Sequence, residues 1–304
     1  MYDTHVALRG GRVTAANATR YVDRLLGAGL GPAETVRRRP AVGHDGTVTV
    51  SFALPSVVNL RDLGGTPVGA GTMRFGRLLR SGQLDRLTDG EQAALAAFGV
   101  TSVFDLRTTA ERDRRPDRLP IGVALIVADV LAGDPDTGAT GLAALAANPR
   151  GMTALSDGGA VTLMLGSYRD MVRLPSADAA YRSLFSGVAA GRPLLFHCTA
   201  GKDRTGWAAA VLLMLLGADE QTVVEDYLRS NDAVLLASRP LLDRIEQAGV
   251  DPAAVLPLLE VRAEYLQAAL EEMRARHGDV QTYAERVLGL DAAAVDRLRA
   301  ALID

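Results

Sequence analysis

The loop between Cys198 and Arg204 carries the clearest chemical pattern in the sequence. The segment that contains it, HCTAGKDRTG at 197–206, follows a short apolar run at 193–196. It leads into a strongly apolar stretch typical of a buried helix. A tight loop at a helix N-terminus turns several backbone N–H groups into one small space, where they bind an anion such as phosphate. The same field lowers the pKa of a thiol at its centre, so Cys198 is a candidate nucleophile.

The side chains of this loop suggest further roles. Five residues separate Cys198 from Arg204, which lets the loop curl so that the guanidinium grips two phosphate oxygens bidentately. Gly201 suits a point where the backbone takes an unusual conformation, and Thr205 offers its hydroxyl to the sulfur. Lys202 either contacts a second phosphate of the substrate or only raises the local positive potential.

This loop closely resembles the H-C-x-x-G-x-x-R-[ST] signature of cysteine-dependent protein tyrosine phosphatases. Its form HCxxGKDRTG is similar to that of a bacterial subgroup, the atypical tyrosine and phosphoinositide phosphatases. Three more segments are similar to that subgroup: NLRDLGG at 59–65, DYLRSND at 226–232 and RAEYL at 262–266. The resemblance spans about residues 57–290 and leaves out the first fifty.

The resemblance implies a two-step hydrolysis that needs no cofactor and no metal. The Cys198 thiolate attacks phosphorus, a general acid protonates the leaving oxygen, and water then hydrolyses the cysteinyl phosphate. In the wider family the acid is an aspartate on a separate loop after a strand, and Asp129 is the matching position. Asp203, inside the phosphate loop and specific to the subgroup, is the alternative, which we place second.

Other residues complete the predicted site. The predicted phosphate-binding residues are His197, Thr199, Ala200, Gly201, Lys202, Thr205 and Arg61. We expect His197 to hydrogen-bond the loop and set the thiol pKa. Arg61 and Asp62 either pack near the pocket rim or form a pair that stabilises a turn. We expect Asp105 and Arg107 to form an ion pair that braces the loop.

The elements around the loop predict an α/β cysteine-phosphatase fold. Short apolar runs predict strands at 78–79, 100–106, 121–127 and 193–196. The capping box Thr88-x-x-Glu91 predicts the start of a helix. The chain after 159 is mostly helical and includes a predicted helix at 258–276. Alternating strands and helices indicate a mostly parallel central sheet flanked by helices, with a helical C-terminal part.

Two regions fall outside this pattern. We expect residues 1–55 to form an N-terminal extension packed on a catalytic domain of residues 56–304. Residues 131–159 are rich in Gly, Ala, Asp and Pro and show little periodicity. So long a stretch is either a functional lid or a mobile segment, and we favour a helical, lid-like insertion.

Composition narrows the classes of protein. With 304 residues, 48% of them hydrophobic and 23% charged, the chain can form a sizeable core. A net charge of -3 argues against nucleic-acid binding, and a single cysteine excludes a disulfide framework. With neither a secretory signal nor an apolar run long enough to span a bilayer, a cytoplasmic location is predicted. Secretion by another route and the oligomeric state stay open.

These observations predict a phosphomonoester hydrolase acting on phosphotyrosine. The resemblance implies phosphoserine, phosphothreonine and phosphoinositides as further substrates, so the expected partner is a phosphorylated protein, a phosphoinositide or a small phosphomonoester. One alternative is a phosphatase of a small metabolite, such as an inositol phosphate or a nucleotide. The other is a catalytically silent phosphate-binding module, against which the intact Cys198 and Arg204 argue.

Overall fold

The computed structural model describes residues 54–132 and 155–304, together with the strand residues 41–42 and 48–49. The predicted N-terminal extension and most of the predicted lid at 131–159 lie outside these residues and stay predictions. Within the described residues, no helix combines the length and the apolar character that a membrane span requires.

A five-stranded sheet lies at the centre of the described domain. Its strand order is β3-β6-β9-β7-β8, in which β3 is antiparallel to β6 and the other neighbours are parallel. Two more antiparallel pairs, β1–β2 and β4–β5, form separate two-stranded sheets. The strands are β1 (Ala41–Val42), β2 (Val48–Thr49), β3 (Arg61–Asp62), β4 (Pro67–Val68), β5 (Gly71–Thr72), β6 (Leu78–Ser81), β7 (Ser102–Asp105), β8 (Ala124–Val127) and β9 (Leu194–His197). The predicted mostly parallel sheet is confirmed.

Helices cover both faces of this sheet. The helices are α1 (Asp89–Ala97), α2 (Thr109–Arg114), α3 (Gly159–Arg173), α4 (Pro175–Ala189), α5 (Arg204–Leu215), α6 (Glu220–Leu228), α7 (Ser230–Gln247), α8 (Leu256–Leu259), α9 (Ala263–His277), α10 (Val280–Tyr283) and α11 (Ala292–Leu302), with a short 3₁₀ turn at Pro252–Ala254 and a π turn at Ala284–Leu288. Because side chains alternate along a strand, Leu195 of β9 packs into a core with α1, whereas Phe196 packs into the core of the C-terminal helices.

The register of the parallel strands places their carboxyl ends together. His197 at the end of β9 lies between Ser81 of β6 and Asp105 of β7. The segments that follow these three strands therefore meet at one edge of the sheet, where ligands of open α/β sheets bind. Cys198 is the first residue beyond this edge on the central strand.

The predicted helix at 258–276 is interrupted, which corrects the sequence interpretation. Helix α8 ends at Leu259 and α9 begins at Ala263. The side chain of Asn231 accepts a hydrogen bond from the Val261 N–H at 2.7 Å and donates one to the Val261 carbonyl at 2.8 Å. Because Asn231 satisfies both backbone groups of Val261, the chain leaves the helix there without losing hydrogen bonds.

Candidate active site

The loop between β9 and α5 surrounds the buried Cys198. The loop takes a sharp bend at Gly201, whose φ of 70° lies in the left-handed region. A Cβ atom at this position would overlap the backbone carbonyl of Ser81. Only glycine fits both requirements, in agreement with the role expected of it.

Three successive carbonyls of the loop accept hydrogen bonds from one side. The Thr199 carbonyl accepts from the Gln83 N–H at 3.0 Å. The Gly201 carbonyl accepts from Asn59 Nδ2 at 2.8 Å and from Arg80 Nη2 at 2.9 Å, and Asn59 Nδ2 also lies 3.4 Å from the Ala200 carbonyl. In a trans peptide the following N–H points the opposite way. The N–H groups of residues 200–202 therefore point to the other side, as an anion cradle requires.

A buried group of charges supports these carbonyl contacts. This group, the Asp226 cluster, consists of Arg61, Arg80 and Asp226. Asp226 lies 3.1 Å from Arg61 Nε and 2.7 Å from Arg80 Nη1, and the Arg61 guanidinium also contacts the side chain of Asn59. Burial alone would raise the pKa of Asp226, but the two arginines lower it to about 2. Burial and Arg61 lower the pKa of Arg80 to about 10. The structure thus places Arg61 on the side of the loop where the carbonyls are held, opposite the side to which the N–H groups point.

Arg204 begins α5 and is held by a carboxylate from the neighbouring strand-helix unit. Glu111 accepts hydrogen bonds from Arg204 Nη1 at 2.7 Å and from Nη2 at 2.9 Å. Its Oε1 also accepts from Thr199 Oγ1 at 2.6 Å, and its Oε2 accepts from the Thr108 N–H at 2.8 Å. Burial opposes ionisation, but Arg204 outweighs it and holds the pKa of Glu111 well below its usual range. The guanidinium that would grip a phosphate is fixed in one plane.

The thiol of Cys198 is prepared to ionise. Burial alone would raise its pKa, and the charge of Asp203 acts in the same direction. The positive charge of Arg204 and the hydroxyl and N–H of Thr205 outweigh both, so the pKa of Cys198 lies below its ordinary value. A thiolate is the nucleophilic form of cysteine.

His197 belongs to a second buried group of charges, the His197 cluster, formed by Asp105, Arg107, Asp117 and His197. Its Nε2 lies 3.0 Å from Asp117 Oδ2, and its Nδ1 lies 3.1 Å from the Cys198 carbonyl. Burial alone would lower the pKa of His197, but Asp117 raises it above the ordinary value. Burial would raise the pKa of Asp117, but His197 and then Arg107 lower it to about 2.

The His197 cluster is also the candidate metal site in the described part of the chain. Oxygen and nitrogen atoms of Asp105, Asp117 and His197 lie within 4.8 Å of one another. The Arg107 guanidinium already lies 2.7 Å from Asp105 and 2.8 Å from Asp117, which is the ion pair expected of Asp105 and Arg107. Because Arg107 and His197 can balance the two carboxylates, the donor set fits a structural ion network better than a metal ion.

The two candidate acids have different surroundings. Asp129 accepts hydrogen bonds from the backbone N–H groups of Leu131 at 3.0 Å and Thr109 at 3.1 Å, and it pairs with Arg112 at 3.5 Å. Both of its oxygens are therefore occupied, Oδ2 at the start of α2 and Oδ1 by the Leu131 N–H.

Asp203 lies at the end of the phosphate loop itself. Its Oδ1 accepts hydrogen bonds from Tyr168 Oη at 2.7 Å and Lys202 Nζ at 2.7 Å. Its Oδ2 has no hydrogen-bond partner among the described residues, and the side chain is 26% exposed. Lys202 is itself buried and points to Asp203 and to the Glu260 carbonyl, at 3.4 Å. A second phosphate on a substrate would have to compete with these contacts.

Sequence interpretation missed several residues that build this site. They are Asn59, Arg80, Glu111, Asp117, Tyr168 and Asp226. Glu111 had a signal, because Thr108-x-x-Glu111 repeats the capping box found at Thr88-x-x-Glu91, and the structure shows both boxes formed. Asp226 lies in one of the segments that resemble the subgroup. Arg80 follows two leucines in β6, and nothing in its local pattern indicates a buried side chain.

The sequence of this chain is similar to those of known tyrosine phosphatases. A model of the tyrosine phosphatase family matches residues 52–304. The triple specificity protein phosphatase PtpB of Mycobacterium tuberculosis is 36% identical over 274 residues, which cover 82% of this chain and 98% of that protein. A protein of Cupriavidus necator is 36% identical over 247 residues, 80% of this chain and 85% of its own length. A tyrosine-protein phosphatase of Nostoc commune is 32% identical over 157 residues, 49% of this chain and 46% of its own.

Proposed function

Because the chain belongs to the tyrosine phosphatase family, we propose that it hydrolyses phosphotyrosine esters through a covalent phosphate on Cys198. The strongest support is that three features occur together in one loop. The pKa of the Cys198 thiol is lowered, the backbone N–H groups of residues 200–202 point to one side, and Glu111 fixes the Arg204 guanidinium with two hydrogen bonds. A silent phosphate-binding module needs the cradle but has no use for an activated nucleophile.

The first step transfers the phosphoryl group to sulfur. The Cys198 thiolate forms an S–P bond while the P–O bond to the tyrosine oxygen breaks, and a proton from the acid neutralises that oxygen. Arg204 and the loop N–H groups stabilise the charge on the three remaining phosphate oxygens. In the second step water attacks phosphorus, its proton returns to the acid, and the S–P bond breaks. Thiolate and inorganic phosphate are the products.

We assign the acid role to Asp203, the alternative that the sequence placed second. A general acid needs an oxygen that can carry a proton to the leaving group. Asp129 has both oxygens occupied by backbone N–H groups, of Thr109 and Leu131, whereas Asp203 keeps Oδ2 without a partner among the described residues. Asp203 also adjoins Arg204 in the chain, so its carboxylate lies in the same loop that would hold the substrate phosphate.

Broader substrate use is the second part of the proposal. One relative is named a triple specificity protein phosphatase, and the resemblance implies phosphoserine, phosphothreonine and phosphoinositides as further substrates, so we propose that this chain hydrolyses them too. Lys202 lies inside the phosphate loop and pairs with Asp203 at 2.7 Å, so a multiply phosphorylated substrate would have to draw it away from that carboxylate.

The test is phosphate release by the purified full chain in the presence of a metal chelator. Substrates are matched phosphotyrosine and phosphoserine peptides, phosphoinositides and inositol phosphates, with Cys198→Ser as the blank. We expect phosphotyrosine turnover in the wild type, and vanadate binding without turnover in Cys198→Ser. Turnover by Cys198→Ser would contradict the nucleophile. Hydrolysis of inositol phosphates alone would favour a metabolite phosphatase.

The acid assignment has its own test. Asp203→Asn should lower kcat by about 100-fold or more for a phosphotyrosine peptide, and far less for dinitrophenyl phosphate, whose leaving group needs no proton. Asp129→Asn should affect both substrates alike, through the stability of α2. The reverse pattern would return the acid role to Asp129.

A further inference from the structure

Two buried tyrosines connect Asp203 to the helical layer of the protein. Tyr168 of α3 donates to Asp203 Oδ1 at 2.7 Å, and Tyr227 of α6 donates to Tyr168 Oη at 2.7 Å. The two rings meet edge to face with their centroids 6.2 Å apart, and both side chains are fully buried. Each hydroxyl has one proton to donate, so this chain of hydrogen bonds runs in one direction and ends on the carboxylate.

Asp203 stands at the capping position of α5 but does not cap the helix. It immediately precedes α5, where an aspartate usually caps the helix by accepting a hydrogen bond from a backbone N–H two or three residues on. Asp219, Asp279 and Asp291 occupy this position at other helices and cap them with hydrogen bonds of 2.7 Å. Asp203 makes no capping bond. Its backbone has φ -86° and ψ -77°, not the extended conformation of the capping aspartates, and Tyr168 and Lys202 hold its Oδ1.

Given the proposed function, with Asp203 as the acid, we propose that Tyr168 and Tyr227 are positioning residues that aim Asp203 Oδ2 at the leaving oxygen. Tyr168 and Lys202 fix Oδ1, and a planar carboxyl group with one oxygen fixed has little freedom left for the other. When the proton moves from Oδ2 to the leaving oxygen, the new carboxylate keeps two donors on Oδ1 that stabilise its charge.

The packing around Tyr227 supports this role. A Cβ atom at Gly206, in the first turn of α5, would lie 3.1 Å from the Tyr227 ring, so the missing side chain lets the ring lie against that helix. The neighbouring residue, Asp226, holds the arginines behind the phosphate loop. One turn of α6 therefore supports both the loop and the acid.

The raised pKa values of the two tyrosines also keep their hydroxyls able to donate hydrogen bonds. Burial, followed by the negative charge of Asp203, raises the pKa of Tyr168 well above its ordinary value, and burial and the same charge raise that of Tyr227. Both hydroxyls therefore stay protonated across the pH range in which a phosphatase of this kind works.

The test removes one hydroxyl and keeps the ring. Tyr168→Phe should lower kcat about tenfold for phosphotyrosine and phosphoserine peptides, because a hydrogen bond to a charged group is lost, but less than twofold for dinitrophenyl phosphate. Tyr227→Phe should show the same dependence on the leaving group with a loss of about threefold, since it acts through Tyr168. Tyr283→Phe is the matched control, a buried tyrosine that packs against Trp207, and should change neither rate.

Equal losses of kcat with both kinds of ester, or no loss in either tyrosine variant, would overturn the positioning role. The melting temperature and vanadate affinity of each variant show that the fold and the phosphate loop persist. If Tyr168→Phe does not fold, the leaving-group dependence of Tyr227→Phe decides. Failure of the proposed function has a different signature, because Asp203→Asn would then show no leaving-group dependence or Cys198→Ser would keep its turnover.

Discussion

The Glu111→Gln variant gives the sharpest test of how Arg204 is held. Glu111 Oε2 faces the N–H of Thr108 and Arg204 Nη1, two groups that can only donate, so the glutamine amide must keep its carbonyl oxygen there. Its NH₂ group then takes the place of Oε1. The Thr199 hydroxyl can turn to accept from it, but Arg204 Nη2 cannot, and this nitrogen keeps only its 3.4 Å contact to Thr199 Oγ1.

The cost follows from that count of hydrogen bonds. Loss of one charge-assisted hydrogen bond, with the buried donor left only its 3.4 Å contact to Thr199, destabilises the fold by about 3 kcal/mol. For a domain of this size the melting temperature should fall by roughly 6–12 °C. Arg204 then keeps one short bond to Glu111 and longer contacts to the Leu106 carbonyl at 3.3 Å and Thr199 Oγ1 at 3.4 Å. Because these hold the guanidinium less firmly, kcat/KM for a phosphotyrosine peptide should fall roughly 10–100-fold.

Glu91→Gln is the matched control for this variant. Glu91 occupies the same position of the other capping box and accepts from Thr88 and Ser56, and no arginine of the described residues pairs with it. It should cost stability but leave vanadate affinity and kcat/KM within about twofold, since it is remote from the loop. If Glu111→Gln kept wild-type kcat/KM, or if both variants lost it equally, the role assigned to the carboxylate of Glu111 would be refuted.

The pH dependence of the same variant checks the sign of the electrostatic effect. The pKa of Glu111 is held below its ordinary 4.5 in the folded protein. Its stabilisation is therefore fully present above the unfolded pKa and is lost as the pH falls through the folded pKa. The difference in unfolding free energy between wild type and Glu111→Gln, from urea titrations, should be constant at neutral pH and shrink below about 4.5.

Three further variants test the rest of the site. Gly201→Ala should cost at least about 3 kcal/mol in urea unfolding and abolish vanadate binding, because the left-handed backbone and the Ser81 carbonyl both oppose a side chain. The pKa of His197 is raised in the folded protein, so protonated His197 stabilises the fold fully below its unfolded pKa of 6.5, and this stabilisation is lost as the pH rises through the folded pKa. Asp117→Asn should therefore flatten the dependence of the unfolding free energy on pH between about pH 6 and 9. Asp203→Asn removes a charge that raises the pKa of Cys198, so the midpoint of iodoacetamide alkylation should move to lower pH.

Much of the fold could be predicted from the sequence because its signals are local. The apolar run before Cys198, the helix after Arg204 and the first capping box each depend on neighbours within a few residues, and each is present in the structure. The break at Val261 could not be predicted, since it depends on Asn231, thirty residues earlier, which satisfies both of its backbone groups.

The same distinction applies to the site. The loop is contiguous, so its chemistry could be predicted from spacing alone. Its supports come from β6, α2, α3 and α6, which meet only when the parallel strands set the register at the edge of the sheet. Asp129 and Asp203 could not be separated from sequence for this reason, because the partners that occupy their oxygens lie on other elements.

The buried charges around the loop nearly balance one another, which leaves the backbone N–H groups to bind the phosphate. Three buried groups are neutral when His197 is protonated: the Arg204–Glu111 pair, the Lys202–Asp203 pair and the His197 cluster. The Asp226 cluster has two arginines for one carboxylate and keeps one positive charge. The Cys198 thiolate brings one negative charge, which in turn raises the pKa of Arg80. Ionisation of Cys198 thus completes a nearly neutral assembly, and the N–H groups of the loop are left to stabilise the charge of the phosphate.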